Sequence, residues 1–179
     1  MLVLPILTDF RLLCKKLGCS RYFHFNGCKY VTPEYYASIK AHRIPTKGDI
    51  LYSAVGATLG IPAIVNTDEE FCFQRYVALI KPNPNKLLSK FLWYMLKSGT
   101  LYKKAWEGTT GSAQPTVPLR AIRMLPIPVP PLPEQHRIVA YLDELQTKVD
   151  KMKRLREQAM KELDALLPSI LDKAFKGEL

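Results

Sequence analysis

The chain has 179 residues, of which 47% are apolar and 23% are charged, as in a typical folded globular protein. These proportions exclude a disordered chain, a collagen and a small disulfide-stabilised protein. No stretch approaches the ~18 consecutive apolar residues of a membrane span. The apolar segment Met1–Asp9 lacks the basic region of a signal peptide and is interpreted as a strand or a domain edge. We therefore expect a cytoplasmic protein with reduced cysteines.

The positive charge lies in one part of the chain. Residues 1–133 contain 17 Lys and Arg and 7 Asp and Glu, a net charge of +10, whereas residues 134–179 contain 9 of each kind. Lys and Arg release the counterions condensed on phosphates, so we expect a polyanion such as DNA to bind the first part. Because many soluble proteins are basic without binding nucleic acid, charge alone leaves the alternative open.

Short elements are predicted at the start of the chain. Arg11–Leu17 fits one or two helical turns, and Asn26-Gly27, between aromatic residues, is typical of a hairpin turn. Thr32 followed by Pro33 predicts the start of a short helix that ends near residue 39.

Strands and helices alternate in the middle of the chain. Strands are predicted within Ile44–Ser53, Ile61–Val65 and Phe71–Ile80, which are rich in apolar and β-branched residues. Apolar residues at three- and four-residue spacing predict a helix over Lys86–Leu96, and Leu101–Trp106 fits a second.

Two further segments follow without helical or strand periodicity. A polar loop covers Gly108–Pro115, and Arg120–Pro133 is so rich in proline that an extended backbone is predicted.

A long helix is predicted over residues 134–167, which contain no Gly and no Pro. Its length would be about 50 Å. Because a helix of this length cannot cover its whole apolar face with a small domain, we expect a coiled-coil contact; the alternative is a helix lying along its own domain. The apolar residues follow heptad spacing and form a seam along the helix. Arg156 occupies one position of this seam, and Ala159 occupies the next. The large apolar residues of the seam are Ile138, Leu142, Leu145, Val149, Met152, Leu163, Leu166 and Ile170.

Several motifs together resemble one family. Leu125–Val139, with the sequence LPIPVPPLPEQHRIV, is similar to the junction at which a target-recognition domain meets a long helix in specificity subunits of type I restriction-modification systems. Lys47–Gly60 resembles the Gly-Asp-Ile-Leu strand of that family with its paired glycines. Gly111–Gln114 before Pro118 and the ending Ser169–Leu179 also fit. The resemblance runs from about residue 29 to the last residue.

The resemblance implies an α+β fold: a mixed-sheet DNA target-recognition domain over residues 1–133, whose N-terminal part does not match the family, and a coiled-coil helix over 134–179. Family members usually carry two such domains, each reading half of a split double-stranded DNA target. Their helices pair antiparallel and dock methyltransferase subunits, and in some complexes a restriction subunit joins. One domain and one helix correspond to a half-size subunit or a fragment. A homodimer through the helix would match an interrupted palindrome.

The motifs of enzymes in such systems are absent from the sequence. An adenine methyltransferase usually needs Asn/Asp-Pro-Pro-Tyr/Phe, whereas Pro130-Pro131 stands between Val129 and Leu132. No P-loop and no clear nuclease motif is present. We therefore expect no enzymatic activity and no cofactor. A truncated specificity fragment that assembles with partners but reads no DNA sequence remains an alternative.

A zinc site is the competing interpretation of the cysteines. Cys14, Cys19, His24 and Cys28 lie within fifteen residues, but their spacing differs from that of known zinc modules. Ordinary thiols and no metal are expected.

The candidate DNA contacts are polar and basic side chains on loops beside the predicted sheet. Gln pairs with adenine and Arg with guanine, while Ser, Thr and Lys more often contact phosphates. The alternative for each is a solvated surface side chain. The predicted set comprises Lys47, Ser53, Thr58, Gln74, Arg75, Lys103, Lys104, Thr109, Thr110, Ser112 and Gln114.

Overall fold

The computed structural model describes residues 10–12, 29–73, 76–110 and 115–177. The expectations for residues 1–9 and for the hairpin turn at residues 26 and 27 lie outside these residues. The strands are β1 (Phe10–Leu12), β2 (Lys29–Val31), β3 (Ile50–Ser53), β4 (Pro62–Ile64), β5 (Phe71–Cys72) and β6 (Val77–Ile80). The helices are α1 (Pro33–Ala37), α2 (Ser89–Lys97), α3 (Gly99–Glu107), α4 (Leu119–Arg123) and α5 (Leu132–Lys176), with short 3₁₀ turns at Ala41–Arg43 and Gly56–Thr58.

The described strands form two three-stranded sheets. In the first, β1 lies between β2 and β5 and pairs antiparallel with β2 but parallel with β5. In the second, β3 lies between β4 and β6 and pairs antiparallel with both. The expected α+β class, with a mixed sheet followed by a long helix, is confirmed.

The core is built around β3, whose four residues are all buried. Successive side chains of a strand point to opposite faces. Leu51 therefore packs with Phe71 on one face, whereas Ile50 and Tyr52 pack with Trp93 of α2 on the other. The indole Nε1 of Trp93 donates a hydrogen bond to the carbonyl of Pro62 at 3.0 Å, which satisfies the only polar atom of that side chain.

Helix α1 begins as the sequence predicts. Thr32 has extended backbone angles, its hydroxyl accepts the N–H of Tyr35, and Pro33 opens the helix. The helix ends at Ala37 rather than near residue 39. Helix α2 begins at Ser89, three residues later than predicted, because Leu88 has an extended backbone.

Two predictions at the sheets are wrong because pairing across the chain overrides local pattern. Arg11 and Leu12 belong to β1, where they pair with Tyr30 and Lys29 of β2, and not to a helical turn. The predicted single strand Phe71–Ile80 is split into β5 and β6, which belong to different sheets.

The proline-rich passage also contains a helix that the sequence did not predict. Pro118 caps α4, and its carbonyl accepts the N–H of Ala121 at 2.9 Å. The extended backbone begins only after Met124, so its predicted start at Arg120 is wrong.

Helix α5 extends at both ends beyond the residues 134–167 that the absence of Gly and Pro predicts. It begins at Leu132 instead of residue 134 and continues past Pro168 to Lys176. Because proline has no N–H, the helix continues through Pro168 with one main-chain hydrogen bond fewer. The described residues up to His136 form one compact unit and those from Arg137 a second. The division into domains at residues 133 and 134 stays a prediction.

Candidate nucleic-acid interface

The first candidate loop, residues 54–60, follows β3 and is closed by main-chain hydrogen bonds. The N–H of Gly60 donates to the carbonyl of Ser53 at 2.8 Å, and the N–H of Ser53 donates to Ile61 at 3.0 Å. Gly60 has a φ of 85°, a backbone conformation that residues other than glycine rarely adopt. The hydroxyls of Ser53 and Thr58 lie 2.9 Å apart. Ser53 is buried and Thr58 is half-buried, so only the second presents itself to a ligand.

The second candidate loop, residues 108–115, is joined to the first by main-chain hydrogen bonds. Thr110 and Thr116 exchange two main-chain hydrogen bonds of 2.9 and 3.1 Å, which close the loop between them. The N–H of Gly56 donates to Pro115 at 3.0 Å, and that of Val117 donates to Ala54 at 2.8 Å. The two loops, about sixty residues apart in sequence, are therefore held together by backbone bonds that do not depend on their side chains.

Helix α3 lies beside this pair of loops and carries two exposed lysines. Ser98 caps the helix through its hydroxyl, and Lys103 and Lys104 are exposed. The helix ends just before Thr109, whose hydroxyl donates to the carbonyl of Trp106 at 2.7 Å. A side chain added at Gly60 would meet the ring of Tyr102 at 2.5 Å, which shows that α3 packs directly on the first loop.

An exposed aromatic pair on α3 was missed in the sequence. Tyr102 and Trp106 are 39% and 38% exposed, and their ring centroids are 6.0 Å apart. Aromatic residues four positions apart share a helix face, and in sequence these two stand on either side of Lys103 and Lys104. This four-residue spacing is the signal in the sequence from which the pair could have been predicted. Exposed aromatic rings near lysines are suited to packing on the sugars next to phosphates.

Other predicted contacts are not part of this surface. Lys47 precedes β3, at the opposite end of that strand from Ser53, and its Nζ lies 2.9 Å from the exposed carboxylate of Asp68. Four further predicted contacts lie outside the described residues: Gln74, Arg75, Ser112 and Gln114.

The described parts of the chain offer little to a metal ion. No group of three or more His, Cys, Asp or Glu side chains comes together among them. The candidate zinc ligands Cys14, Cys19, His24 and Cys28 lie outside these parts, so that interpretation is untouched. Burial raises the pKa of the Cys72 thiol, which favours its protonated form. None of the helices described is both long and apolar enough for a membrane span.

Comparisons with known proteins point in one direction. Residues 20–161 match the family described as type I restriction modification DNA specificity domain. The chain is 32% identical over 133 residues to the EcoBI specificity subunit of Escherichia coli, covering 74% of this chain and 28% of that protein. It is 30% identical over 132 residues to the EcoDI specificity subunit of the same species, covering 74% and 29%. The chain thus spans about three tenths of the length of these curated relatives.

Solved structures agree with the sequence relatives. One, described as the structural basis of complex assembly and conformational transition of the type I R-M system, matches with a TM-score of 0.64 at 33% identity over 76% of this chain and 33% of that one. The HsdS subunit from Thermoanaerobacter tengcongensis matches with a TM-score of 0.62 at 20% identity, over 89% of this chain and 41% of that one. The second likeness concerns the fold alone.

Proposed function

Because the chain belongs to the family of type I restriction-modification DNA specificity domains, we propose that it is a non-catalytic subunit that reads one half of a bipartite double-stranded DNA target. The observation that carries this proposal is that two polar loops are hydrogen-bonded to each other beside helix α3, which presents Lys103 and Lys104. The bonds from Val117 to Ala54 and from Gly56 to Pro115 fix the loops without using the side chains that would contact DNA.

The structure divides the predicted contacts into supporting and contacting groups. Ser53 is buried against Thr58, and we assign it to holding the first loop in shape. Lys47 is paired with Asp68 and contributes little net charge. We propose that Lys103 and Lys104 contact phosphates, that Thr58, Thr109 and Thr110 contact the backbone or groove edges, and that Tyr102 and Trp106 pack against sugars.

Sequence preference is the property that tests DNA reading. A library of duplexes with random sequence should be enriched for one motif after rounds of binding to the purified chain. The double variant Lys103→Ala with Lys104→Ala should bind the selected duplex more weakly while keeping the same motif, because phosphate contacts position the protein without specifying sequence. Recovery of no motif would contradict the proposal and favour a fragment that only assembles with partners.

Helix α5 is proposed to pair with a second copy of the chain and to dock methyltransferase subunits, with a restriction subunit joining in the full complex. The large apolar residues of the seam from Leu145 onward remain between 38% and 70% exposed. They are Leu145, Val149, Met152, Leu163, Leu166 and Ile170. Ile138 and Leu142, nearer the start of the seam, are half-buried. An apolar stripe of this length is stabilised when a partner helix covers it.

Two variants of the same residue type test this pairing. Leu163→Asp places a charge in the seam and should convert a dimer to a monomer in light scattering. Leu155→Asp is the comparison, because Leu155 is also exposed but lies beside the heptad seam and not in it, so its substitution should weaken the dimer less. A monomer for the unmodified chain at every concentration would contradict the homodimer. Failure to recover the cognate methyltransferase with the chain would contradict docking.

A further inference from the structure

A second surface of the first compact unit is separate from the proposed DNA contacts. A groove of about 1080 Å³ runs along β6 between α2 and α4. Its wall includes the five consecutive residues Val77–Lys81, and apolar side chains such as Leu92, Leu96 and Ile122 line it further. None of the predicted DNA contacts within the described residues lines this groove.

The outer edge of β6, whose residues all line the groove, has main-chain hydrogen-bonding groups that no strand within the described ranges uses. The N–H of Ala54 donates to Tyr76 at 2.9 Å, and the register continues through Tyr52 with Ala78. Hydrogen bonds alternate along an antiparallel pair, so the main-chain groups of Val77 and Leu79 turn away from β3. Among the residues described, no strand pairs with that side of β6. An edge of this kind is a template for another strand.

The charge around the groove has one sign. No Asp or Glu lines it, whereas Arg43, Lys86 and Arg123 line it and are exposed. These three side chains make no ion pair within the described parts of the chain. Lys81 is different, because its Nζ lies 2.7 Å from the buried carboxylate of Asp49. An occupant that complements the groove therefore combines apolar side chains with negative charge.

We propose that this groove binds an extended segment of a partner protein, which adds as a strand to β6. Main-chain bonds to Val77 and Leu79 would supply affinity. Alternate apolar side chains of the segment would enter the groove, and acidic residues at its ends would meet Arg43 and Arg123. A DNA duplex fits less well, because it presents no strand edge and its phosphates would lie against an apolar surface.

A synthetic peptide tests the chemistry directly. The probe is a fluorescent nonapeptide, Glu-Asp-Val-Thr-Val-Thr-Val-Asp-Glu, titrated into the full chain and followed by anisotropy. The double variant Arg43→Glu with Arg123→Glu should weaken its binding about tenfold, since each rim charge contributes modestly. Arg120→Glu is the control for the substitution at Arg123: it makes the same change on the same helix outside the groove and should leave binding unchanged. Replacing the four acidic residues of the peptide by lysine should also weaken binding.

Amide hydrogen exchange locates the peptide. In the free chain the amides of Val77 and Leu79 should exchange fast and that of Ala78 slowly, and the peptide should slow the first two. Slow exchange at Val77 and Leu79 without peptide would overturn the proposal, because another part of the chain would already cover the edge. No binding at concentrations on the order of 1 mM, equal binding of the lysine peptide, or displacement by a DNA duplex would overturn it as well. The outcome is independent of whether the chain selects a DNA motif.

Discussion

The side-chain carbonyl of Gln135 accepts a hydrogen bond from the main-chain N–H of Leu88 at 2.9 Å. The amide nitrogen of the same side chain donates to the carbonyls of Lys86 at 2.8 Å and Pro130 at 2.7 Å. Gln135 is fully buried, so water does not replace these bonds. One side chain thus joins the segment before α2, the proline-rich passage and the first turn of α5.

Replacing Gln135 with leucine should destabilise the first compact unit by about 2–4 kcal/mol, because one N–H and two carbonyls lose their partner in a buried place. Urea denaturation measures this free energy of unfolding. Gln146→Leu is the control: Gln146 bonds only to Asp150 on the same helix, at an exposed site, and its loss should cost less than about 0.5 kcal/mol. Equal effects of the two substitutions would contradict the role of Gln135.

Asp49→Ala should cost about 2–3 kcal/mol. The buried carboxylate of Asp49 accepts the Nζ of Lys81 at 2.7 Å and the N–H of Thr46 at 2.8 Å, and its loss would leave Lys81 only the carbonyl of Ile44 as a close acceptor. The exposed pair of Lys47 and Asp68 provides the comparison. Asp68→Ala should change the free energy of unfolding by less than about 0.5 kcal/mol, since water screens that pair. A loss at Asp68 as large as at Asp49 would contradict this assignment.

Two glycine-to-alanine substitutions should have opposite signs. Gly60 has a φ of 85°, and a Cβ there would lie 2.5 Å from the ring of Tyr102, so Gly60→Ala should destabilise by about 1–3 kcal/mol. Gly99 opens α3 with nothing within 4 Å of an added Cβ, so Gly99→Ala should be neutral or stabilise by up to about 1 kcal/mol. Thermal unfolding of both variants checks the signs.

Alkaline pH should weaken the fold through Tyr52. Burial, with a smaller effect of Tyr102, raises the pKa of Tyr52 from its ordinary value of 10.0 to about 12. The unfolded chain therefore releases this proton first. The contribution of Tyr52 to the free energy of unfolding is therefore fully present below pH 10 and is lost as the pH rises toward 12. The free energy of unfolding of the chain, measured relative to that of Tyr52→Phe, should fall across that interval. A constant difference would contradict the raised pKa of Tyr52.

The double variant Lys103→Ala with Lys104→Ala should reduce the slope of log binding constant against log salt by about 2, because two phosphate contacts disappear. Anisotropy titrations at several salt concentrations measure the slope. Lys153→Ala with Arg154→Ala removes the same charge from adjacent exposed positions on α5 and should leave the slope nearly unchanged. Equal slopes for the two double variants would place the phosphate contacts elsewhere.

Local signals were sufficient where a few neighbouring residues decide the structure. Thr32 and Pro33 fix the start of α1 by a hydroxyl cap and a preset φ, and the heptad spacing fixes the body of α5. The split of β5 from β6 depends on which distant strand each one pairs with, and periodicity does not encode that choice.

The candidate interface was predictable in residue type but not in arrangement. A sequence identifies polar loops, but it does not reveal that Val117 donates to Ala54 and so joins them. Nor does it reveal that Ser53, a polar residue at a strand end, is buried against Thr58. Both facts arise from the folded backbone.

Pro168 lies inside α5, eight residues before the helix ends at Lys176. Because proline has no N–H, the carbonyl of Asp164 lacks its usual helical donor. The last two turns are therefore less cooperative with the rest of the helix, and they should fray as a separate unit. A binding partner that orders this terminal segment would lose part of its affinity to the entropy of ordering it. Replacing Pro168 with alanine should reduce that entropic loss without altering any contact in the heptad seam.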